Sequence, residues 1–557
     1  MVTTQYPIFA ETVFMKTRLF FFALFVLITT EGFVKAQVQR PKLVVGIVID
    51  QMRWDYLYRY NDVFKPAGGF KRMLNQGFSC ENTFIPYTPT VTAAGHTCIY
   101  TGSVPAVHGI VGNNWWDNIE NKSMYCTDDE NVQTVGSNTN AGKMSPRNMF
   151  ATTIGDELRL ATNFQSKVIG IAIKDRGAIL PAGHAATSAY WYDYSTGDFI
   201  TSTYYMNDLP AWVKTFNARK IVDSLYHLNW NISLPKDIYM KYATDDKEAY
   251  ENKVFGNDQL SFPYDLSRFI SKDYSKIAST PYGNVLTEAM AEATIKAEKL
   301  GKNTATDLLA VSFSSPDYVG HAFGPNSWEQ LDDYARLDET LGKFFSFLDA
   351  NVGKGNYTVF LTADHGVAHV PKFSIENKLP GGFFSESQML NELNTKLKEE
   401  FGSNKIVRDV MNYMIVFNQH IIDSAKLNKG DIIKATVGFL KTKEEIAQAF
   451  EIEEINDIPL TQKQKEMISN GYFSSRCGDI QIILKPGYVE GSGNGTSHGV
   501  WNPYDSHIPL LWYGWGIKQG KTNRETYMTD IAATVSAMLH VQMPSGCIGH
   551  VIEEVIK

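Results

Sequence analysis

Three continuous apolar runs set the frame of the predicted fold. They cover Leu43–Ile49, Leu308–Phe313 and Tyr357–Leu361, and the first reads LVVGIVI. Uninterrupted runs rich in β-branched residues are typical of strands that are buried on both faces of a sheet. Between the second and third runs, apolar residues recur at helical spacing behind a capping box of Ser327 and Gln330. Strand, helix and strand in this order form a βαβ unit, which favours parallel pairing.

The predicted fold class is therefore α/β, with a mostly parallel central sheet and helices on both faces. Two stretches fit this pattern poorly, and we interpret them as large insertions. Residues at about 115–300 are polar and weakly periodic, so we expect them to lie over the sheet edge with short elements of their own. Residues at about 385–475 alternate charged helical stretches with short apolar runs, and Ile480–Leu484 returns to a strand pattern. We expect a single domain from residue 37 to residue 557.

The first 36 residues have the pattern of an export signal. Lys16 and Arg18 form a short basic region, Leu19–Thr29 is an apolar run of signal-core length, and small residues place the cleavage after Ala36. The alternative is an uncleaved membrane anchor, for which this run is short. No later segment has a transmembrane pattern, so we expect a periplasmic or secreted protein with no stable membrane insertion after cleavage.

Composition narrows the possible functions. The chain has 557 residues, of which 44% are hydrophobic, and a net charge of -8 without long blocks of one sign. A mildly acidic surface argues against a nucleic-acid-binding groove, whereas binding of small anions depends on local charge. The five cysteines lack zinc-finger spacing, and their odd number leaves at least one thiol unpaired. We assign them no catalytic role.

Acidic and imidazole side chains follow each of the three apolar runs. Asp50 ends the first run, Asp317 and His321 follow the second, and Asp364 and His365 end the third. Because ligands gather at the carboxyl ends of parallel strands, we expect these side chains to converge. Asp317 and His321 are one helical turn apart, so both can face one ion.

A sixth candidate, His498, lies in the glycine-rich GNGTSHG loop, where the backbone can approach closely. Three aspartates and three histidines fit two metal sites with mixed nitrogen and oxygen ligands. Imidazole favours zinc over magnesium, and three ligands per site leave positions open for substrate. Each residue alone has an ordinary interpretation, such as a helix cap for an aspartate or a surface position for a histidine. The prediction therefore depends on their joint placement.

The segment YTPTVTAAGH places Thr92 at the start of a short helical stretch, Ala93–Thr101. Free N–H groups and the helix dipole at such a position favour an anion. A hydroxyl in contact with zinc can act there as a nucleophile. From spacing alone, however, the favoured interpretation of Thr92 is an N-cap with no further role.

Together, these motifs resemble those of the alkaline phosphatase superfamily. More narrowly, they are similar to PafA-type alkaline phosphatases, which are related to the nucleotide pyrophosphatase/phosphodiesterases. The resemblance extends from about Pro41 to the C-terminus. It depends on PTVTAAGH, HGIVGN, the Asp317/His321 pair, the ADHG segment and the late His498. It implies an alkaline-phosphatase-like fold with one catalytic domain.

The resemblance also implies two zinc ions as cofactors and a role for each motif. The implied ligands are Asp317, His321 and His498 for one ion, and Asp50, Asp364 and His365 for the other. Thr92 is implied as the nucleophile beside the second ion. Asn113, which closes HGIVGN, is implied as a contact to a phosphate oxygen.

The segment Ile173–Arg176 bears on the choice between monoesters and diesters. PafA-type enzymes carry a lysine and an arginine in such a segment, and these bind terminal phosphate oxygens, which maps to Lys174 and Arg176. On an extended segment, residues two apart point to the same side. A monoester carries an extra charged oxygen that a diester lacks, so a cationic pair favours the monoester. Without the resemblance, the default interpretation is a solvated surface pair.

The implied function is hydrolysis of small-molecule phosphate monoesters, with broad specificity and a phosphothreonine intermediate. The main alternative is a phosphodiesterase or nucleotide pyrophosphatase of the same superfamily, against which Lys174 and Arg176 argue. A sulfatase is disfavoured because the C/S-x-P-x-R motif is missing around Thr92. A phosphotransferase stays open, and an inactive zinc-binding protein is disfavoured because all six ligands and Thr92 are present. The oligomeric state is unknown at this stage.

Overall fold

A large mixed sheet forms the centre of the molecule. The structure is a computed structural model that describes residue 1 and residues 39–557, and Pro41–Lys557 fold into one compact unit. Its strands are β1 (Leu43–Ile49), β2 (Phe78–Phe84), β3 (Asn114–Asp117), β4 (Lys122–Tyr125), β5 (Thr134–Val135), β6 (Val168–Ala172), β7 (Ser188–Asp193), β8 (Asp198–Ser202), β9 (Asp307–Phe313), β10 (Tyr357–Thr362), β11 (Gly382–Phe384), β12 (Val407–Met411), β13 (Met414–Phe417), β14 (Ile446–Glu451), β15 (Ile480–Leu484), β16 (Tyr488–Glu490), β17 (His507–Gly514), β18 (Gly520–Thr522) and β19 (Thr526–Tyr527).

The central sheet has the strand order β18-β2-β17-β10-β1-β9-β6-β7-β8-β5, with β19 also paired to β2. Strands β10, β1, β9, β6 and β7 form a continuous parallel block. The strands β17, β8 and β5 join it in antiparallel pairs. All seven residues of β1 are buried, and alternate residues of a strand point to opposite faces, so both faces are covered. The predicted α/β fold with a mostly parallel sheet is confirmed.

Helices pack against this sheet and against the smaller sheets outside it. They are α1 (Tyr56–Arg59), α2 (Gly69–Gln76), α3 (Thr92–Thr101), α4 (Pro105–His108), α5 (Ile154–Ala161), α6 (Asp175–Ala182), α7 (Ala211–Ala218), α8 (Ile221–Tyr226), α9 (Lys236–Tyr242), α10 (Tyr282–Glu298), α11 (Ser315–Phe323), α12 (Trp328–Leu348), α13 (Pro371–Glu376), α14 (Glu386–Phe401), α15 (Gln419–Ser424), α16 (Lys429–Leu440), α17 (Gln462–Gly471), α18 (Pro503–Ser506) and α19 (Asp530–Leu539). Short 3-10 turns lie at Ser267–Phe269, Tyr274–Ser279 and Ile452–Asp457, and a π-helical turn at Asp349–Gly353 extends α12.

The predicted helix after the second apolar run is α12, and half of its predicted capping box is present. The Ser327 hydroxyl accepts the Gln330 N–H at 3.1 Å. The Gln330 side chain, however, donates to the Pro316 carbonyl at 3.3 Å instead of returning to the cap. Pro316 lies on α11, so this contact ties α12 to the preceding helix.

The stretch at about 115–300 is more than an insertion. It supplies β6 to the interior of the parallel block, between β9 and β7, and it supplies β7, β8 and β5 to one edge of the sheet. The prediction of an insertion over this whole stretch is therefore too broad. The five residues of β6 are all buried, but a run this short is hard to separate from its polar surroundings by periodicity.

The stretch at about 385–475 folds around a second sheet, with the strand order β12-β13-β15-β14. Its own apolar core includes Leu393 of α14, Ile415 of β13 and Ile432 of α16. The strand β15 corresponds to the predicted run Ile480–Leu484 and closes this unit. We refer to residues 385–484 as the insert.

Two further predictions concern the ends of the chain and its thiols. The predicted signal peptide, residues 1–36, lies outside the described residues apart from residue 1. Within the described part of the chain, no helix is both long enough and apolar enough to cross a bilayer. All five cysteines are free thiols.

Candidate metal centre and active site

The predicted metal ligands converge at the carboxyl ends of the parallel strands. Asp50 follows β1, and Asp364 and His365 follow β10. Asp317 and His321 lie one turn apart on α11, which follows β9. Since β9, β1 and β10 are neighbours in the sheet, their ends meet at one edge.

The first group of ligand candidates contains Asp317, His321 and His498, whose ligand atoms all lie within 4.8 Å of one another. The Asp317 Oδ1 atom is 3.2 Å from His321 Nε2 and 3.7 Å from His498 Nε2. Tertiary structure brings His498 to this group from the glycine-rich loop, far away in the sequence.

The second group surrounds His365. The His365 Nε2 atom lies 3.5 Å from Asp50 Oδ1 and 3.5 Å from Asp364 Oδ2. Asp317 also belongs to this neighbourhood, because Asp50, Asp317 and His365 offer ligand atoms within 4.8 Å of one another. The two groups are adjacent, and the rings of His365 and His498 stack with their centroids 3.5 Å apart.

Backbone carbonyls select the tautomer of the three histidines. The Nδ1 atoms of His321, His498 and His365 lie 2.8, 2.7 and 3.0 Å from the carbonyl oxygens of Thr496, Thr90 and Gly366, respectively. A carbonyl only accepts, so each Nδ1 carries the proton and the neutral ring keeps its lone pair on Nε2. All three lone pairs are therefore available to a metal ion, and the carbonyls orient the rings.

The buried charges of the site also fit bound cations. Asp50, Asp317 and Asp364 are buried, and the ammonium of Lys174 lies 2.8 Å from Asp50 Oδ2 and 2.6 Å from Asp317 Oδ2. Burial, followed by repulsion from Asp364, raises the pKa of Asp50 well above its ordinary value. Within the described chain, the buried Asp50 Oδ1 accepts no hydrogen bond. A buried carboxylate oxygen that accepts no hydrogen bond is costly, and imidazole with carboxylate is a donor set that suits zinc.

The Thr92 hydroxyl lies beside the second group. Its oxygen is 3.3 Å from His365 Nε2 and 3.4 Å from Lys174 Nζ. Thr92 is the first residue of α3, and the N-cap is Val91, whose side chain forms no capping hydrogen bond. The interpretation of Thr92 as a simple N-cap is therefore wrong.

Helix α3 approaches Asp364 very closely. A Cβ atom at Gly95 would lie 2.4 Å from the Asp364 carbonyl oxygen, so a glycine is needed there. The neighbouring His96 places Nδ1 3.2 Å from Asp364 Oδ2 and Nε2 2.8 Å from Ser312 Oγ. These contacts orient Asp364 and seat α3 so that Thr92 reaches the ligands.

Gln51 connects the two groups, and sequence reasoning missed it. Its Nε2 donates to Asp317 Oδ1 at 2.7 Å, and its backbone N–H donates to Asp364 Oδ1 at 3.2 Å. The residue is fully buried and has φ 66°, which is uncommon for a residue other than glycine. A polar residue directly after Asp50, at the end of a buried strand, was the available signal.

Asn113 lies next to the Thr92 segment, as the resemblance implies. Its Oδ1 accepts the N–H of Ala93 at 3.0 Å, which leaves the Asn113 amide NH₂ group to donate elsewhere. The carbonyl of Asn113 accepts the Cys126 N–H at 2.9 Å, so the β3–β4 hairpin holds this residue.

Lys174 and Arg176 are not on an extended segment, contrary to the prediction. Helix α6 begins at Asp175, and Lys174 is its N-cap residue. The two cations therefore reach different neighbours. Lys174 contacts the ligand groups, whereas Arg176 Nη1 donates to the Tyr125 hydroxyl at 3.0 Å. That hydroxyl donates in turn to Asp175 Oδ1 at 2.6 Å, so Tyr125 fixes the guanidinium on the β3–β4 hairpin.

Comparison with known proteins identifies the family. The profile of the type I phosphodiesterase / nucleotide pyrophosphatase family matches residues 44–505. The chain belongs to this family. Among its relatives, alkaline phosphatase PhoV of Synechococcus elongatus is 51% identical over 523 residues, which cover 93% of this chain and 94% of the relative. Alkaline phosphatase PafA of Elizabethkingia meningoseptica is 50% identical over 522 residues, covering 93% and 95%.

A solved alkaline phosphatase structure has the same fold over nearly the whole chain. The crystal structure of wild-type alkaline phosphatase PafA matches with a TM-score of 0.91 at 49% identity, and the match covers 93% of this chain and 100% of that one. The predicted resemblance to PafA-type alkaline phosphatases is confirmed, and the chain is a phosphatase of the PafA/PhoV type. Its acidic and imidazole groups can hold metal ions.

Proposed function

We propose that the protein hydrolyses phosphate monoesters at a two-zinc site, with Thr92 as the nucleophile and a phosphothreonine as the intermediate. The observation that carries this proposal is the position of one hydroxyl oxygen. Thr92 Oγ1 lies 3.3 Å from His365 Nε2 and 3.4 Å from the buried Lys174 ammonium, at the N-terminus of α3. A nucleophile and an anion-binding helix end therefore occupy the same place.

The donor set supports zinc as the cofactor. Asp317, His321 and His498 would hold one ion, and Asp50, Asp364 and His365 would hold the other. Zinc in such sites supplies Lewis-acid stabilisation of developing negative charge and lowers the pKa of a bound hydroxyl. Three protein ligands for each ion leave positions open for the reactants.

The reaction takes two in-line steps. In the first, Thr92 Oγ loses its proton and bonds to phosphorus, while the ester oxygen leaves on the opposite side and is protonated to the alcohol. In the second, a water oxygen bonds to phosphorus while the bond between phosphorus and Thr92 Oγ breaks. The water loses a proton, Thr92 Oγ takes one up, and inorganic phosphate leaves. The free N–H groups and the dipole at the start of α3 favour the phosphoryl group in both steps.

Asn113, Lys174 and Arg176 are proposed to bind the phosphoryl oxygens, where positioning and electrostatics supply most of the catalysis. A monoester dianion gains from two nearby cations, whereas a diester presents one charge fewer. The alternative activity is that of a phosphodiesterase or nucleotide pyrophosphatase, which the name of the matched family favours. Lys174, whose ammonium is buried at the site, favours the monoesterase.

The proposal includes the cellular setting. Signal-peptide cleavage after Ala36 would deliver the enzyme to the periplasm or the medium, where it would release phosphate from a broad range of small esters. Mass determination of the N-terminus of the exported protein tests the cleavage site, and an intact N-terminus would contradict it.

The decisive experiment compares the purified protein with its Thr92→Ala and Thr92→Ser variants. Rates are measured for p-nitrophenyl phosphate, bis-p-nitrophenyl phosphate and p-nitrophenyl sulfate, with and without a chelator. We expect the monoester to be hydrolysed fastest, the chelator to abolish turnover, and Thr92→Ala to lose turnover while it retains zinc. A diester rate above the monoester rate would overturn the substrate class. Full activity of Thr92→Ala would overturn the nucleophile.

A further inference from the structure

The hairpin formed by β12 and β13 ends in an unusual turn. Met411 pairs with Met414, and the two turn residues between them, Asn412 and Tyr413, have φ values of 56° and 60°. A two-residue turn with both φ values positive is of type I′, which favours asparagine first and glycine second. Asn412 fits this pattern, whereas a bulky residue such as Tyr413 is strained there. The tyrosine therefore points to contacts that glycine cannot make.

The Tyr413 side chain contacts the loop of a proposed zinc ligand. Its hydroxyl is buried and donates to the His498 carbonyl at 3.1 Å. A Cβ atom on the next residue, Gly499, would lie 2.9 Å from the Tyr413 ring. The His498 imidazole is held separately, through its Nδ1 donor to the Thr90 carbonyl. Thr90 thus orients the ring of His498, and Tyr413 fixes its main chain.

Asn412 contacts the backbone on both sides of Asn113. Its Nδ2 donates to the Asn114 carbonyl at 2.9 Å. A Cβ atom at Gly112 would lie only 2.6 Å from the same Nδ2 atom, so the Asn412 amide lies directly on that glycine. Gly112 and Asn114 flank Asn113, the proposed contact to a phosphate oxygen. The Asn412 amide therefore supports the backbone on both sides of Asn113.

The insert holds this turn firmly. The Tyr413 N–H donates to Glu386 Oε1 at 3.2 Å, and the Tyr413 carbonyl accepts the Ile482 N–H at 2.8 Å. On the adjoining strand, the Arg408 guanidinium lies over the Trp116 ring of β3, 4.7 Å from its centroid. The hairpin is thus hydrogen-bonded to the rest of the insert and also packs on β3.

We propose, building on the proposed function, that Asn412 and Tyr413 are positioning residues for the reaction. The turn places one residue against the loop of His498 and its neighbour against the backbone around Asn113. It thereby sets the separation between a zinc ligand and a phosphate contact, which gives the insert a role in catalysis. Because the two residues have different partners, their substitutions have separable effects.

Tyr413→Phe removes one oxygen and keeps the packing of the ring. We expect its zinc affinity to fall about tenfold, as is typical when a group that supports a metal ligand is removed. Its kcat/KM for p-nitrophenyl phosphate should fall at limiting zinc and recover at saturating zinc. Zinc affinity is measured by competition with a chromogenic chelator, independently of turnover.

Asn412→Gly removes the amide and leaves a residue that suits the positive φ. We expect kcat/KM for p-nitrophenyl phosphate to fall about tenfold through misplacement of Asn113. Inhibition by inorganic phosphate should weaken by a similar factor, and zinc affinity should be unchanged. Lys405→Gly is the matched control, because Lys405 is an exposed residue of the insert with φ 57°. Lys405→Gly should change neither kcat/KM nor inhibition by phosphate.

Each residue is judged by its own readout. Wild-type zinc affinity in Tyr413→Phe overturns the role of Tyr413, and wild-type kcat/KM in Asn412→Gly overturns the role of Asn412. Equal losses of both readouts in both variants, with a lower melting temperature, would also refute the proposal, since general loosening of the insert produces that result. If the wild-type protein binds zinc but does not hydrolyse p-nitrophenyl phosphate, the proposed function fails, while the zinc measurement still decides the role of Tyr413.

Discussion

Replacing Tyr125 with phenylalanine removes the oxygen that joins Arg176 to Asp175. The hydroxyl accepts from Arg176 Nη1 at 3.0 Å and donates to Asp175 Oδ1 at 2.6 Å. Asp175 keeps two other donors, the Thr127 hydroxyl and the Arg176 N–H, so its carboxylate stays in place. The guanidinium, by contrast, loses its 3.0 Å hydrogen bond to the Tyr125 hydroxyl and keeps the longer, 3.8 Å ion pair with Asp175. The substitution thus tests whether the orientation of Arg176 matters to the reaction.

The size of the effect follows from the kind of hydrogen bond. A hydrogen bond to a charged group contributes about 1.5–3 kcal/mol net. The Arg176 side chain is 17% exposed, so water can replace part of the contact. The orienting free energy lost is then about 1–2 kcal/mol, which corresponds to a roughly 5- to 30-fold fall in monoester kcat/KM. A diester lacks the additional charged oxygen, so its kcat/KM should change by less than about twofold.

A double-mutant cycle provides the assay. Tyr125→Phe, Arg176→Ala and the double variant are compared on p-nitrophenyl phosphate and its diester at saturating zinc. If Tyr125 acts through Arg176, the double variant should match Arg176→Ala alone. Tyr226→Phe is the control, because its hydroxyl donates to the Asp273 carbonyl outside the site. Additive losses, or equal losses for both esters, would refute the reasoning and assign Tyr125 to general stability.

Three further outcomes are expected. Gln51→Leu should weaken zinc binding about tenfold, because Asp317 loses the 2.7 Å hydrogen bond from the Gln51 amide. Zinc affinity is measured by competition with a chelator, and an unchanged affinity would contradict this prediction. Gly95→Ala should lower kcat/KM at least about 100-fold, because its Cβ would lie 2.4 Å from the Asp364 carbonyl oxygen. The circular dichroism spectrum should stay native. Near-normal turnover would show that α3 can shift freely. Burial, followed by the charge of Glu329, raises the pKa of Glu251 from 4.5 to about 9. Between these two values the folded state binds more protons than the unfolded state, so stability falls as pH rises. Glu251→Gln should remove up to about 1.4 kcal/mol of that fall per pH unit between pH 6 and 8 in urea melts, and equal pH slopes in both proteins would exclude it.

Five of the six candidate ligand positions were predictable because they follow buried apolar runs. Asp50 and Asp364 follow fully buried strands rich in β-branched, aliphatic and aromatic residues, and parallel neighbours bring such ends together. Asp317 and His321 follow β9, the second of the predicted runs, at helical spacing. His498 has no preceding strand of this kind, so its partners could be named only through the resemblance. Its loop reaches the site by tertiary contacts that leave no periodic signal.

Lys174 shows why part of the prediction failed. It follows β6 by two residues, so it obeys the rule that identified the aspartates. The apolar run of β6, however, has only five residues and lies within a polar stretch, so its pattern does not identify it as a strand. For the same reason the segment was expected to be extended, although α6 starts at Asp175. A missed strand thus hid both the reason that Lys174 is buried and the reason that Arg176 contacts Tyr125 instead of the candidate metal ligands.

Among the contacts that could not be predicted from the sequence are hydrogen bonds of single neutral hydroxyl groups. The chain contains 28 tyrosines, and no local pattern distinguishes Tyr125 or Tyr413 from the rest, because a hydroxyl is defined by its distant partner. Charged candidate ligands concentrate after apolar runs, so the sequence pattern identifies them. A single neutral hydroxyl can be assigned a role only when its partner is known from the folded structure. In this enzyme the charged groups lie at or just after the ends of the central strands, and the β3–β4 hairpin and the insert carry the neutral hydroxyls of Tyr125 and Tyr413, which contact Arg176 and the main chain of His498. Substitution of a candidate metal ligand or of Thr92 should therefore remove metal binding or chemistry outright, whereas removal of one hydroxyl from the hairpin or the insert should change the rate by factors of about ten.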